Sequence, residues 1–449
     1  MSGFGLVILL IAGILFIVIS TAKYKLHPFI ALLLTAYAIA LLSGVPIADT
    51  VKTITTGFGG ILAYIGIVIV LGTIIGTILE KTGAAIAMAD FVLSKIGRQR
   101  PVLAMSIIGY IVSIPVFCDS GFVILSSLKK SLIRQTGKSA VAMSVALATG
   151  LYATHTLVPP TPGPIAAAGN LHVDNLGLVI LFGLVIALFA AAAGYVYAEW
   201  AGKRYRCAQD DLPKLADDEE IQALYKQIPS TLNAFLPIVV PIGLIAFASL
   251  LKLLFVGVDN LVLKCFYFIG EPVTALLIGL FFAARLLPEW SKTTLTDWIG
   301  QGVKDSGSIL IITAAGGALG GVLKASGIGD YLGSVLQGMS LGILVPFIIA
   351  AALKTAQGSS TTALVVTSTI LYPLLPALGL DSAIGSVLTI MAIGAGAMTV
   401  SHANDSFFWV VAEFSEMDVE TAYKSQTMAT LVQGLVTIVI VAILAWVLL

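Results

Sequence analysis

Apolar stretches long enough to cross a bilayer recur from one end of the chain to the other. "GLVILLIAGILFIVI" near the start is typical, with no charge and no alternation. A run of ~18 or more apolar residues reads as a transmembrane helix, whereas barrel strands alternate over ~10 residues. With 58% hydrophobic and 11% charged residues among 449, the expected fold class is an all-α polytopic membrane protein. The formal net charge is zero, so no basic footprint for nucleic acid is present. Cys118, Cys207 and Cys265 form no CxxC, so neither a disulfide framework nor a metal site is expected. The first stretch lacks a basic leader and an A-x-A site and reads as a retained helix.

Spans are expected near 3–20, 26–44, 60–80, 139–157, 176–200, 230–254, 261–285, 308–325, 383–411 and 427–449. Two further stretches, 102–128 and 341–372, are too long for one helix and too short for two spans. Each is interrupted by small polar residues, "FCDSG" and "AQGSS", as in a re-entrant helical hairpin. With both termini outside, in the periplasm, and both stretches as hairpins, nineteen of the 24 basic residues fall in cytoplasmic segments, as the positive-inside rule asks. These include Lys95 and Arg98 before the first hairpin, and Lys129, Lys130 and Arg134 after it.

"HPFIALLL" at 27–34 resembles "EPVTALLI" at 271–278, and at the same offset Gly72, Gly76 and Gly83 fall on Gly316, Gly320 and Gly327. The expected organisation is a first repeat over 1–201, a charged cytoplasmic linker over 202–229 and a second repeat over 230–449. Each repeat holds five spans and a hairpin, and each contains a broken helix, 139–164 or 383–411. Five being odd, the second repeat enters the membrane inverted, the architecture of secondary transporters, whose sites lie where discontinuous helices meet. "GFGG" (57–60) and "AAGGALGG" (314–321) read as close helix packing rather than phosphate loops.

Non-helical backbone at membrane depth must be buried in protein or line a wet cavity. Four interruptions qualify: "PVFCDSG" (115–121), "THTLVPPTPGP" (154–164), "AQGSSTT" (356–362) and "SHANDS" (401–406). Broken helices offer free amides to anions and free carbonyls to cations. The expected substrate-binding residues are Ser120, Gly121, Thr154, His155, Thr156, Lys354, Gly358, Ser359, Ser360, Thr361, His402 and Asn404. Asp119 is the first choice for a coupled proton, because a carboxylate at membrane depth marks an ion or proton pathway; Asp405 or His155 is the second. Asp405 fits a helix cap as well as a ligand. Lys354 fits either snorkelling to the interface or an inward charge facing a substrate carboxylate or a hairpin acid. Glu80 and Glu413, near span ends, are expected to face water.

These motifs resemble the gluconate permease (GntP) family of gluconate:proton symporters. "THTLVPPTPGP" is similar to that family's "THGFLPPHPGP", "FCDSGFVIL" to "FFEVGLVLL", "QGSSTTA" to "LGSATVA", and "SHANDSFFW" to "SHVNDAGFW". The likeness runs from "KYKLHPFIALLL" to the C-terminus. It implies a member of the ion transporter superfamily: a homodimer in the bacterial inner membrane, working by elevator-type alternating access, with no cofactor and no catalysis. By resemblance, Asp119 takes the place of the family's tip glutamate and Lys354 a commonly basic position, while His155, Asn404 and Asp405 match the broken-helix motifs. The resemblance implies proton-coupled uptake of gluconate or a related hydroxy monocarboxylate such as D-serine, glycerate or fructuronate; sodium is the alternative coupling ion, because tip carbonyls and hydroxyls suit Na⁺. The tip "CDSG" in place of "FEVG" puts a shorter acid and a hydroxyl there, which opens room for a substrate other than gluconate.

Overall fold

A computed structural model of the chain describes residues 3–97, 99–212, 229–255, 260–327, 342–403 and 405–449. Among the described residues every regular element is helical. The first half runs α1 (Gly3–Ala22), α2 (Pro28–Ser43), α3 (Ile47–Lys81), α4 (Ala84–Ile96), α5 (Pro101–Val112), α6 (Cys118–Thr136), α7 (Ala140–Leu157), α8 (Pro162–Asn170) and α9 (Leu176–Ala201). After the linker come α10 (Thr231–Leu254), α11 (Leu261–Ile269), α12 (Pro272–Ala284), α13 (Ile299–Ala325), α14 (Leu344–Gln357) and α15 (Ser360–Leu371). The chain closes with α16 (Ala383–Met398), α17 (Ser406–Phe414), α18 (Val419–Ala422) and α19 (Met428–Leu448).

Among the described residues five stretches are long and apolar enough to cross a membrane: Ala140–Asn170, Leu176–Ala201, Thr231–Lys252, Thr293–Ala325 and Val419–Leu448. Two bent helix pairs, α3 within itself and α11 with α12, bring this to seven. Several expected boundaries move. The span expected at 60–80 begins at Ile47, and that expected at 308–325 continues a helix begun at Ile299. The 261–285 span bends by 60° between Ile269 and Pro272, where Pro272 lacks an N–H to continue the ladder. The second arm of the 102–128 stretch runs on to Thr136 and stops at Gly137, whose φ of 62° is left-handed.

The core lies on α7 and α8, all of whose residues are buried, and on α15 and α16, which are nearly so. A helix apolar on all sides needs protein on all sides. α1, α10 and α19 instead present Phe4, Ile8, Leu15, Leu232, Val239 and Trp446 outward, as lipid-facing helices do. α3 and α13 form the largest helix pair, and of the glycines expected to pack, Gly57 and Gly317 do so while Gly59 and Gly60 do not, an added Cβ there meeting nothing within 4 Å. A Cβ on Gly57 would lie 2.4 Å from the Gly317 carbonyl oxygen.

The linker expected over 202–229 is docked where it starts; residues 213–228 lie outside the described residues. Asp210 accepts from the Ala140 amide at 2.7 Å, at the start of α7, and Gln209 donates to the Phe414 carbonyl at 3.0 Å. Unpaired backbone groups at helix ends draw these side chains in.

Candidate functional site

All four expected interruptions are present, the first three shorter than the sequence suggested. The first is Ser113–Phe117, with Asp119 in the opening turn of α6. The second is only Val158–Thr161, because α7 continues through Leu157. The third is Gly358, left-handed at φ 88°, followed by Ser359 as cap of α15. The fourth runs from Thr399 to Asp405. Its backbone is satisfied from the final helix: Thr427 donates to the Ser401 carbonyl at 2.6 Å and Thr430 accepts from the Ser401 amide at 3.0 Å. Hydroxyls from a neighbouring helix thus replace the missing ladder, as membrane depth requires.

The first, third and fourth breaks, with the end of α7, converge on a cavity of about 260 Å³ lined by Phe117, Cys118, Asp119, Tyr152, His155, Gly358, Ser359, Ser360, Thr361, Asp405, Ser406 and Phe407. Seven expected residues therefore meet: Asp119, His155, Gly358, Ser359, Ser360, Thr361 and Asp405. Behind them Lys354 lies 2.6 Å from Asp405, the two side chains 0% and 6% exposed. Lys354 does not snorkel, and its acid sits in the fourth break rather than at a hairpin tip. Its ammonium also donates to the Gly358 carbonyl. Asp405 is both cap and ion-pair partner. One oxygen accepts from the Phe407 amide at 3.1 Å, and the other takes Lys354 and the Ser401 hydroxyl.

Asp119 is placed differently. It is held by Ser406 at 3.4 Å and approached by the Cys118 thiol at 3.8 Å, and it makes no ion pair among the described residues. The Ser360 and Thr361 positions lie in the first turn of α15, where amides lack intrahelical acceptors and the helix end favours anions. Ser359 is engaged as the cap, accepting from the Thr362 amide at 3.2 Å.

Other expected ligands stand elsewhere. Thr154 and Thr156 donate to the Leu151 and Tyr152 carbonyls of their own helix, at 3.5 and 3.0 Å. Inside a buried helix a hydroxyl is satisfied most cheaply by the preceding turn. Ser120 turns to Glu80, which is half-buried and not fully in water as expected. Gly121 packs on α7, where an added Cβ would lie 2.8 Å from Leu151. His402 reaches the Thr355 carbonyl at 2.9 Å, tying the fourth break to the last turn of α14 outside the cavity. Asn404 lies outside the described residues.

Tyr152, Phe117 and Phe407 were not expected. Tyr152 stacks on His155 with ring centroids 6.3 Å apart and planes 7° from parallel, and lies 5.2 Å from Phe407. The three-residue spacing of Tyr152 and His155 on a helix was the available signal.

Comparison with known proteins agrees with this architecture. Residues 5–447 match the profile described as GntP family permease. A permease of Haemophilus influenzae is 36% identical over 90% of this chain and 84% of its own length. The gluconate permease of Pseudomonas aeruginosa is 30% identical over 96% of each chain, and the D-serine transporter DsdX of Escherichia coli K12 is 31% identical over 96% of each. Among solved structures, the YdaH transporter of Alcanivorax borkumensis superposes with a TM-score of 0.67 at 15% identity, covering 94% of this chain and 98% of its own. Neisseria gonorrhoeae MtrF superposes with a TM-score of 0.69 at 16% identity, covering 95% and 96%. At such identities these two speak for the fold alone. The family and the relatives are permeases rather than enzymes, and the chain, a multi-pass membrane protein, belongs to the GntP permease family.

Proposed function

We propose that the protein imports a small hydroxy monocarboxylate together with a proton across the bacterial inner membrane, gluconate or a close sugar acid being the first candidate. One observation carries this reading. The cavity region holds one cation and two carboxylates, and the cation is already paired with Asp405. A substrate carboxylate arriving beside an ionised Asp119 would place two uncompensated negative charges in a poorly solvated site. A proton on Asp119 removes one of them. Loading of acid and proton is then mutually required, which is what a symporter needs.

In this reading the substrate carboxylate lies at the α15 N-terminus, on Ser360 and Thr361, and its hydroxyls meet His155 and the remaining polar wall. Lys354 serves as the fixed counter-charge of Asp405 rather than as a substrate ligand. Two relatives are named for gluconate and D-serine; both molecules carry a carboxylate and a hydroxyl, which supports a shared site chemistry. Alternating access of the elevator type and a homodimeric state belong to the same proposal.

Proteoliposomes provide the test. D-gluconate should accumulate against its gradient when the outside is acid, and Asp119→Asn should abolish that accumulation while leaving counterflow exchange. Accumulation that follows an imposed sodium gradient and ignores a protonophore would replace the proton by Na⁺. Binding of D-serine or D-glycerate but not D-gluconate would reassign the substrate.

A further inference from the structure

Lys129 is, with Lys354, fully buried among the described residues, and transport as proposed above makes no use of it. The sequence places it among cytoplasmic basic residues beside Lys130, yet it is 0% exposed. Its three donors find three acceptors: Ser144 at 3.0 Å on α7, the Phe414 carbonyl at 3.1 Å and Ser415 at 2.8 Å. An ammonium has three donors and no acceptor, so the set is complete. Phe414 ends α17 and Ser415 is its cap, so Lys129 supplies a cation where a helix terminus favours one.

The helices it joins are those that carry the acids. α6 opens with Cys118 and Asp119; Lys129 lies ten residues on, roughly 15 Å along the axis. α17 opens beside Asp405, with Ser406, and its nine residues span about 13 Å. At the cavity end Ser406 touches Asp119 at 3.4 Å. Next to it, about one turn into α6, Phe122 meets Phe407 edge-on, with centroids 6.2 Å apart. At the far end Lys129 closes the pair, and its ammonium also lies 5.0 Å from the Phe122 ring.

Resting on the transport reading of the cavity, we propose that Lys129 is a positioning residue. It pins α6, about two turns before its C-terminus, to the end of α17 remote from the acids. Asp119 and the Asp405–Ser406 turn therefore keep one spacing, and two helices from opposite halves of the chain move as one body.

The test uses full-length protein in liposomes and compares K129M and K129R with K130M, whose lysine forms an exposed pair with Glu416 at 3.4 Å. Cys118, buried at the cavity wall, reports on the spacing through its rate of N-ethylmaleimide modification, followed by peptide mass spectrometry. K129M should raise that rate by roughly tenfold, the scale of one lost charged hydrogen bond. It should also raise the KM for D-gluconate uptake more than it lowers the maximal rate. K129R should move both less, and K130M neither. Wild-type Cys118 reactivity in K129M overturns the proposal even if uptake falls, because a lysine needed only for stability lowers the amount of folded protein and not the shielding of its thiol. If K129M does not accumulate, S415A, which removes one of the three acceptors, should shift both readouts in the same direction by less; unchanged values there overturn the proposal too. A wild type that imports no D-gluconate sinks the transport reading, and the Cys118 rates still decide the role of Lys129.

Discussion

Lys354 and Asp405 meet at 2.6 Å across 51 residues of chain, almost fully withdrawn from solvent. Together they close two breaks at once. The lysine also binds the Gly358 carbonyl, and the aspartate caps α17 and takes the Ser401 hydroxyl. Committed in this way, the pair leaves Asp119 as the carboxylate of the cavity with no ion pair among the described residues.

Removing one member of a buried pair strands the other charge, at a cost of about 3–5 kcal/mol. Lys354→Met and Asp405→Asn should each lower the yield of folded protein and its thermal stability in detergent, and the double variant should be more stable than either single one. Additive losses in the double variant would show that the two side chains are not energetically coupled.

The Ser/Thr residues of the breaks divide by what their hydroxyls already do. Thr361→Ala should weaken substrate binding by roughly 2–10-fold, the value of one ordinary hydrogen bond. Thr156→Val should leave the uptake KM unchanged, since that hydroxyl bonds to the Tyr152 carbonyl. Measured KM values for the two variants separate the cavity wall from its scaffold.

Glycine at 57 leaves no space for a side chain. Gly57→Val places its Cβ against the Gly317 carbonyl and should destabilise the protein by about 1–3 kcal/mol, the cost of overpacking. Gly59→Ala, with nothing within 4 Å of the added carbon, should melt like the parent. Thermal unfolding in detergent compares them directly.

Cys207 gives a pH-dependent readout outside the membrane spans. Burial, and then the negative charge of Asp210, push its thiol up to about 11. Because the thiolate is the reactive form, maleimide labelling at Cys207 should stay slow through pH 8 and rise as pH approaches that value. Unfolding in denaturant should return the labelling to the rate of an ordinary cysteine.

The sequence discloses the breaks because Pro, Gly and Ser clusters interrupt apolar runs at places where a bilayer forbids exposed backbone. It also discloses the acids at those breaks, since charge at that depth has few other uses. It does not disclose how far each helix continues. Thr154, His155 and Thr156 read as part of an opening, yet α7 keeps them in its last turn, and only His155 faces the cavity. Composition cannot show a threonine turning to the carbonyl four residues back. Lys129 was hidden for a different reason: beside Lys130 it looks like any cytoplasmic lysine, and its partners at 144, 414 and 415 come together only in the folded chain. Tyr152 carried a weak signal in its helical spacing from His155.

The order of Lys354 and Asp405 along the chain has a consequence for biogenesis. Translation at ~5–20 residues per second brings the lysine out roughly 3–10 s before its acid, as their 51-residue separation dictates. During that interval α14 carries a cation with no counter-charge, which favours keeping its end at the membrane surface. α14 should thus settle against the cavity only after the fourth break has been made, so that closure of the cavity waits on Asp405.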